Sequence, residues 1–528
     1  MPMSDVPPYR SIRELLWART AHYGDRVCFR FEDTDRTYKE LLGNSNRLAN
    51  SLWSKGIRKG DRIAVFMRNR IPYVELLFAA AQIGAVVVTI NSEFKGRGLS
   101  YLLESSEPRV VIVGEETLGA YLDVRSELHR PELEYCIIDG EYYDGQIRNI
   151  PEGMVNFERL YEGSADEPPD PGLTKATPYC VIFTSGTTGL PKGVLLPNYA
   201  YINTAWWHAN YVLEAGPQDV FFSCLPFYHC NAQIFTLMTA LMAGGTVAMV
   251  KRFSASQFWD QIRRYGATVF NFLGMMLVAL YKQPERPDDA DNPVTRAFGI
   301  PIPVDIGASF EQRFGLVLLE AYGATETGCG FVFNTVRERK LGSAGKVLPY
   351  AELRVVNEED EPLPPGSLGE IVMRPKEPWV WMLEYYRRPE ATVEAWRNWW
   401  LHLGDLGVLD EEGWLYFRGR RGDWIRRRGE NISALLIEEA LDQHPAVLKS
   451  AVIGVPSELT EHEIKAVIQL KAGHMVDPQE LIEWLKPRVA SFMLPKYIEF
   501  VDELPYTPTG KLEKYKLSRD ISKSWVRQ

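Results

Sequence analysis

Residues 183–194 read FTSGTTGLPKGV and come directly after the start of an apolar run, 181–183. They pack three glycines, four hydroxyls and one ammonium into a single connection, so the chain must leave a strand here and turn its backbone toward an anion. Gly186, Gly189 and Gly193 let the amides approach closely, Thr184, Ser185, Thr187 and Thr188 can donate protons, and Lys192 supplies a point charge. A nucleoside triphosphate suits this chemistry. The spacing departs from the GxxxxGK[ST] loop, since Pro191 precedes Lys192 and Gly193 follows it, which disfavours a generic P-loop NTPase. A plain glycine-rich surface turn would not need so uniform a set of phosphate donors.

At 528 residues, with 45% hydrophobic and 24% charged residues, the chain is too long for one ordinary core, and at least two domains are expected. A formal net charge of -10 disfavours a general nucleic-acid binder, which needs a positive surplus against backbone phosphates. The six cysteines (Cys28, Cys136, Cys180, Cys224, Cys230, Cys329) are scattered without CxxC spacing. They are expected as reduced packing thiols, which fits a cytoplasmic address. The first residues lack a signal-peptide pattern and the last ones lack a lipidation or peroxisomal signal. The longest apolar stretch, 76–90, is short for a membrane span and contains Gln82 and Gly84; it predicts a helix, a turn and a buried strand. No integral membrane association is expected.

Helical patterns alternate with short Val/Ile-rich runs, as in 257–265 before 267–272 and 232–243 before 246–250, with Gly244 and Gly245 as a helix stop. This predicts an α/β chain with largely parallel, helix-flanked sheets. Residues 162–171 and 283–293, charged and proline-containing, predict exposed loops. From about residue 344 the strand-like runs 351–357 and 369–374 enclose an acidic turn, predicting a β-rich subdomain over about 344–417. The run 418–429, crowded with arginine and glycine, marks a boundary. A large N-terminal domain, 1–420, and a small α+β C-terminal domain, 421–528, are therefore expected. In the small domain the pattern predicts helix 435–443, strands 450–455 and 464–470, and a helix opening at Asp477 and Pro478.

Four further clusters carry chemistry. AYGATETG, 321–328, brings the ring of Tyr322, the hydroxyl of Thr325 and the carboxylate of Glu326 together, able to stack a base, touch a phosphate and hold a divalent cation. WWLHLGDLG, 399–407, places Asp405 in an expected Gly-flanked turn suited to a ribose diol. FRGRRGDWIRRRGENIS, 417–433, follows, and TPTGKLEK, 507–514, brings Lys511 after a glycine. Taken singly, each has an ordinary reading as a core aromatic, a helix-start acid, a turn cap, a solvated face or a surface lysine. Together and in this order they resemble the signature set of the AMP-forming adenylating superfamily of acyl-CoA synthetases, luciferases and adenylation domains. Within it, FWDQIRRYGATV, IRRRGENIS and HEIKAVIQL are most similar to the crotonobetaine/carnitine-CoA ligase subgroup.

The resemblance implies a large N-terminal domain and a small mobile C-terminal one that swings between two half-reactions. It implies an acid–CoA ligase that uses ATP and CoA as co-substrates and Mg²⁺ as cofactor, forming an acyl-adenylate with loss of pyrophosphate and then a thioester. Thr184, Ser185, Gly186, Thr187, Thr188, Gly189 and Lys192 would cradle the β- and γ-phosphates. Gly299 and Ile300 would meet the adenine through their backbone, and Tyr322 with Gly323 would lie along it. By the same likeness Thr325 meets the α-phosphate, Glu326 the metal, Asp405 the ribose hydroxyls and Arg420 the nucleotide. Lys511 would reach in from the small domain, Gly422 would be the hinge and Gly429 would line the CoA tunnel. Trp207, His229, Gly274 and Met275 would border the acyl group, and His229 is assigned no proton transfer.

Three positions depart from the family pattern. Gly422 stands where relatives commonly carry Asp or Lys, the segment FGIPIP, 298–303, where many carry Gly-Gly-Ala-Pro, and Leu403 where Thr is common. The subgroup likeness implies a short or betaine-like acid, with fatty and aryl acids as alternatives. Other acceptors and classes stay open at this point: transfer to a carrier protein, a kinase or hydrolase built on the phosphate loop, and a non-catalytic nucleotide- and acyl-binding protein. Monomer and homodimer are equally compatible with the sequence.

Overall fold

Short runs such as Val86–Thr89 and Val110–Gly114 are buried at every residue, as strands covered on both faces must be. The computed structural model describes residues 6–129, 131–140, 142, 149–184, 191–420, 424–427, 430–457, 462–489, 493–506 and 512–527. The chain divides into two compact units: Met1–Glu352 with Arg374–Trp399 and Gly413–Leu415, and Leu353–Met373 with Trp400–Glu412 and Tyr416–Gln528.

The first unit contains two large sheets. One has eight strands in the order Glu384–Tyr385, Lys192–Pro197, Pro178–Thr184, Val86–Thr89, Arg62–Phe66, Val110–Gly114, Leu133–Ile137 and Val155–Asn156. Its interior is parallel, with Ala64 beside both Val88 and Val111, and the Pro178–Thr184 and Lys192–Pro197 pair is antiparallel. The second sheet runs Val317–Leu319, Arg296–Ile300, Val269–Leu273, Val220–Ser223, Thr246–Met249, Val27–Phe31 and Thr34–Thr37. All its pairs are parallel except the terminal hairpin.

Local signals explain the flanking helices. Helix Tyr38–Ser54 opens on a capping box in which Glu40 N donates to Thr37 Oγ1 at 3.1 Å and Thr37 N donates to Glu40 Oε2 at 2.8 Å. Helix Ile71–Ile83 is buried at every position but Pro72 and leads through Gly84 into Val86–Thr89, the helix, turn and strand expected for 76–90. Its one carboxylate, Glu75, is satisfied by Asn44 at 2.7 Å, Arg36 at 3.2 Å and the Tyr161 hydroxyl, which is how a buried charge persists in an apolar helix. No described helix is long and apolar enough to cross a membrane.

One predicted helix is different in kind. Residues 232–243 form a π-helix, Asn231–Met238, continued by the α-helix Thr239–Ala243. Such widened turns concentrate at functional sites, because the extra residue per turn re-aims the side chains around it.

In the remaining chain, Ala351–Val356, Leu368–Pro375, Leu401–Leu409 and Leu415–Arg420 form a four-stranded sheet. The second unit continues with a hairpin, Trp424–Arg427 and Glu430–Ser433, and a sheet of Val447–Pro456, His462–Leu470, Tyr497–Val501 and Trp525–Val526. Helices Ala434–Asp442 and Pro478–Leu485 pack on a core that includes Ile437, Leu441, Ile464, Ile468, Leu481 and Leu485. Asp477 caps the latter helix, accepting from Gln479 N at 2.8 Å, with Pro478 in the first helical position. The alternating α and β patterns thus yield the mixed α/β architecture expected, with a small β-containing C-terminal part.

Candidate nucleotide and acyl site

Residues 185–190 lie outside the described residues, but both ends of that loop are fixed. Thr184 pairs with Lys192 and Phe183 with Gly193 across an antiparallel ladder, and the Thr184 hydroxyl donates to the Lys192 carbonyl at 3.3 Å. An apolar strand pair therefore forms the neck of the loop rich in glycine and hydroxyl residues. Lys192 Nζ stands 4.4 Å from the centre of the Tyr385 ring. Tyr385 in turn donates its hydroxyl to Glu326 Oε1 at 2.8 Å. It reaches that point because Glu384–Tyr385 adds itself to the sheet edge, Tyr385 opposite Val194. Sequence reasoning missed Tyr385, since nothing in the run EYYRRPEAT reports which strand it will join.

Glu326 sits in the short 3₁₀ turn Thr325–Thr327 and is buried. The turn is closed by Thr327 Oγ1, which accepts from Ala324 N at 3.0 Å, and by Cys329 N donating to Ala324 O at 3.0 Å. Met382 N donates to the Glu326 carbonyl at 2.8 Å. The carboxylate is therefore held in place from the backbone and at its tip.

The parallel sheet gathers most other predicted residues. In sheets of this kind, ligands bind beyond the carboxyl ends of the strands. Four neighbouring strands, Val317–Leu319, Arg296–Ile300, Val269–Leu273 and Val220–Ser223, run parallel. At or just past their carboxyl ends come Tyr322, then Gly299 and Ile300, then Gly274 and Met275, then His229. The adenine candidates thus occupy one end of this row and the acyl candidates the other. Tyr322 is buried on the strand Ala321–Tyr322, its ring edge-on to Phe331 at 5.9 Å, and Gly323 follows it. Gly299 lies so close to the neighbouring strand that a Cβ would fall 2.1 Å from the Phe272 carbonyl oxygen, so only glycine fits.

Between these adenine candidates stands Glu320, a second residue the sequence did not announce. Burial pushes its carboxyl up to about 8, against a backbone hydrogen bond from the Ile302 region that acts in the opposite direction.

On the side expected for the acid, His229 meets solvent yet is closely surrounded by protein. That desolvation lowers its pKa to about 4, so the imidazole is neutral at pH 7. Met275 is 61% exposed, whereas Gly274 is buried. Trp207 ends the helix Asn198–Trp207 and is buried, its ring 5.8 Å from Tyr350 and 5.6 Å from Tyr211.

Two expectations need correction. Asp405 is not in a turn: it lies within the strand Leu401–Leu409, buried. Glu370 pairs with Leu406 and Val372 with His402, so three residues, 403–405, stand opposite one, and Gly404 at φ 73 provides the left-handed kink of this bulge. The glycines that suggested a turn instead re-aim a strand residue. The six cysteines are also not all reduced: Cys230 and Cys329 form a disulfide, and Cys28, Cys136, Cys180 and Cys224 are free. Sequence separation, 99 residues, hid a pair that the fold brings together.

Arg420 closes the strand Leu415–Arg420. Ser185, Gly186, Thr187, Thr188, Gly189, Gly422, Gly429 and Lys511 lie outside the described residues. Among the described residues, Asp360, Glu370 and His402 offer ligand atoms within 4.8 Å of one another, and Glu326 is not in that group. His402 Nδ1 is 3.2 Å from Glu370 Oε1 and Nε2 is 4.0 Å from Asp360 Oδ2, an arrangement of an imidazole between two carboxylates.

The AMP-binding enzyme family matches residues 16–386, and the AMP-binding enzyme C-terminal domain matches residues 436–511. The chain is 31% identical over 522 residues to a crotonobetaine/carnitine–CoA ligase of Salmonella choleraesuis (strain SC-B67), covering 97% of this chain and all of the relative. Among solved structures, an o-succinylbenzoate CoA synthetase from Bacillus subtilis in complex with its acyl-adenylate intermediate is 26% identical, with a TM-score of 0.83 over 97% of this chain and 99% of that one. An anthranilate CoA ligase in complex with anthranoyl-AMP, 24% identical, shares the fold with a TM-score of 0.86 over 98% of each chain. By these matches over nearly its whole length, the chain belongs to the AMP-binding enzyme family, as an AMP-forming carboxylate–CoA ligase.

Proposed function

We propose that the acid this ligase activates is short and betaine-like, and that the residues singled out above do the work in the roles the family pattern gives them. The observation that supports the acid class is the full-length likeness to a crotonobetaine/carnitine–CoA ligase. The neutral state of His229 agrees with it, because an imidazolium on the acyl side would repel a trimethylammonium group.

A carboxylate is a poor acylating agent, since its own charge repels nucleophiles. In the first half-reaction a carboxylate oxygen attacks the α-phosphorus of ATP and pyrophosphate leaves. In the second, the CoA sulfur attacks the acyl carbon and AMP leaves. The 184–192 loop holds the leaving phosphates, Gly299, Ile300, Tyr322 and Gly323 hold the adenine, and Asp405 and Arg420 hold the ribose and its phosphate. Thr325 offers its hydroxyl to the α-phosphate. Glu326 suits Mg²⁺: its carboxylate is buried and anchored through one oxygen, and Mg²⁺ typically takes one or two carboxylates and completes its shell with phosphates and water. The metal, when bound, neutralises phosphate charge. Tyr385 is a positioning residue for Glu326. Trp207, His229, Gly274 and Met275 shape the acyl side, Gly422 is the hinge, Gly429 borders the CoA path, and the domain division is 1–420 and 421–528. The setting is cytoplasmic.

Incubation with ATP, Mg²⁺, CoA and one acid at a time, reading pyrophosphate and thioester separately, tests the acid. Crotonobetaine and carnitine should give the highest kcat/KM, ahead of butyrate, octanoate, palmitate and benzoate; a preference for octanoate or palmitate overturns the assignment. Lys511→Ala should remove most adenylate formation, roughly 3–4 kcal/mol of barrier, while thioester formation from supplied acyl-adenylate is largely kept. Equal loss of both steps rejects that role.

A further inference from the structure

We propose that Cys230 and Cys329 are a reversible thiol–disulfide site that restrains adenylation when bonded and releases it when reduced. Their Cα atoms are 6.2 Å apart, a separation within the range a disulfide spans. The bond joins two segments with separate duties. Cys230 directly follows His229 and leads into the π-helix Asn231–Met238. Cys329 directly follows the Thr325–Thr327 turn and Gly328. Cys230 Sγ lies 3.9 Å from Thr325 Oγ1, so the sulfur pair borders the hydroxyl assigned to the α-phosphate. While the bond persists, the acyl wall and the adenylate turn are held at one spacing, although an acid must enter between them.

The pair differs from the other cysteines. Desolvation raises the Cys136, Cys180 and Cys224 thiols to about 12, and burial raises Cys28 further, which keeps all four protonated and inert. Cys230 is only half-buried, whereas Cys329 is buried, so an incoming thiolate meets the Cys230 sulfur and expels the Cys329 thiolate. The co-substrate of this enzyme is itself a thiol. Reduction balances as one protein disulfide plus two small-molecule thiols giving two protein thiols and one small-molecule disulfide. Oxidation by a hydroperoxide proceeds through a sulfenic acid on Cys230, from which the Cys329 sulfur displaces hydroxide; two thiols and one hydrogen peroxide give the disulfide and two waters.

Cys329 also has a backbone φ of 81, a region that favours glycine. A Cys329→Gly variant therefore fits the local backbone while removing one sulfur, and Cys230→Ser removes the other.

The inference rests on the proposed function in one respect, the readout of adenylation, so thiols and activity are measured separately. Full-length enzyme is treated with hydrogen peroxide or with dithiothreitol and cleared of reagent. Thiols are then titrated under denaturing conditions, and ATP–pyrophosphate exchange with the preferred acid is followed in the absence of CoA. The oxidised chain should show four thiols and the reduced chain six. Exchange should be about 10- to 100-fold slower in the oxidised state, the scale of a misplaced reacting group, and return with dithiothreitol. Both variants should exchange at a rate that peroxide does not change. Six thiols after peroxide, an unchanged rate in the four-thiol form, or variants as peroxide-sensitive as the wild type would each overturn the inference. A reduced, six-thiol enzyme that exchanges with no acid counts against the proposed function instead.

Discussion

The two ends of the row of strand ends are built on different principles. Among the residues proposed to hold the nucleotide, geometry is carried by backbone and by enclosed polar contacts: the Thr184–Lys192 pair of the eight-stranded sheet, the closed turn around Glu326, and Gly299 pressed against the Phe272 carbonyl. Among the residues proposed to border the acid, Met275 is exposed and His229 meets solvent while closely surrounded by protein, and Gly274 and Trp207 are buried. The nucleotide is common to every acid, so its seat can be rigid. The acid varies, and a wall of side chains can change without disturbing the sheet behind it.

This contrast predicts that damage at the nucleotide end is large and independent of the acid, and that damage at the acyl end is smaller and depends on it. Glu326→Gln should lower adenylation with every acid by roughly 10²–10³-fold, read as ATP–pyrophosphate exchange, and Tyr385→Phe by about tenfold. An effect of Glu326→Gln confined to one acid would break the comparison. Gly299→Ala, which forces a methyl against the Phe272 oxygen, should lower stability by about 1–3 kcal/mol in urea unfolding and raise the KM for ATP.

His229→Ala should change the ratio of kcat/KM between a betaine acid and a fatty acid by about 10- to 100-fold, a pocket-sized effect of 1–3 kcal/mol, with the KM for ATP unaltered. A shift in the ATP constant would mean that the two ends are coupled. A last effect, read by unfolding rather than turnover, is one of stability. The Glu320 carboxyl titrates at about 8 in the folded chain, above its ordinary value, so the folded form holds its proton more tightly than the unfolded one. Its contribution is complete below the ordinary carboxylate range and is lost as pH rises through about 8. Glu320→Gln should therefore gain about 1 kcal/mol or more over the wild type between about pH 5 and about pH 9, measured by urea midpoints at each pH.

The same contrast explains how far reading from residue order reached. Backbone-driven features were legible, because Gly, Pro, hydroxyl side chains and hydrophobic period act locally: the helix, turn and strand within 76–90, the Asp477 cap and the strand that leads into 184–192 all lie where the pattern puts them. Asp405 was misread because glycine serves both turns and bulges, and only pairing with Leu368–Pro375 distinguishes the two. Tyr385 was missed since its importance comes from what lies opposite it, and Glu320 since its burial is set by the fold around it. The 230–329 disulfide was missed for the same reason.

Residue order thus suffices for the alternation of strands and helices and for the family to which the chain belongs, since each is written in neighbours along the chain. Folding in three dimensions was needed to line up Tyr322, Gly299, Met275 and His229 across the carboxyl ends of four parallel strands, to bring Tyr385 onto Glu326 and to join Cys230 to Cys329. Those outcomes depend on strand order and burial, which are properties of contacts between distant segments and have no local signature.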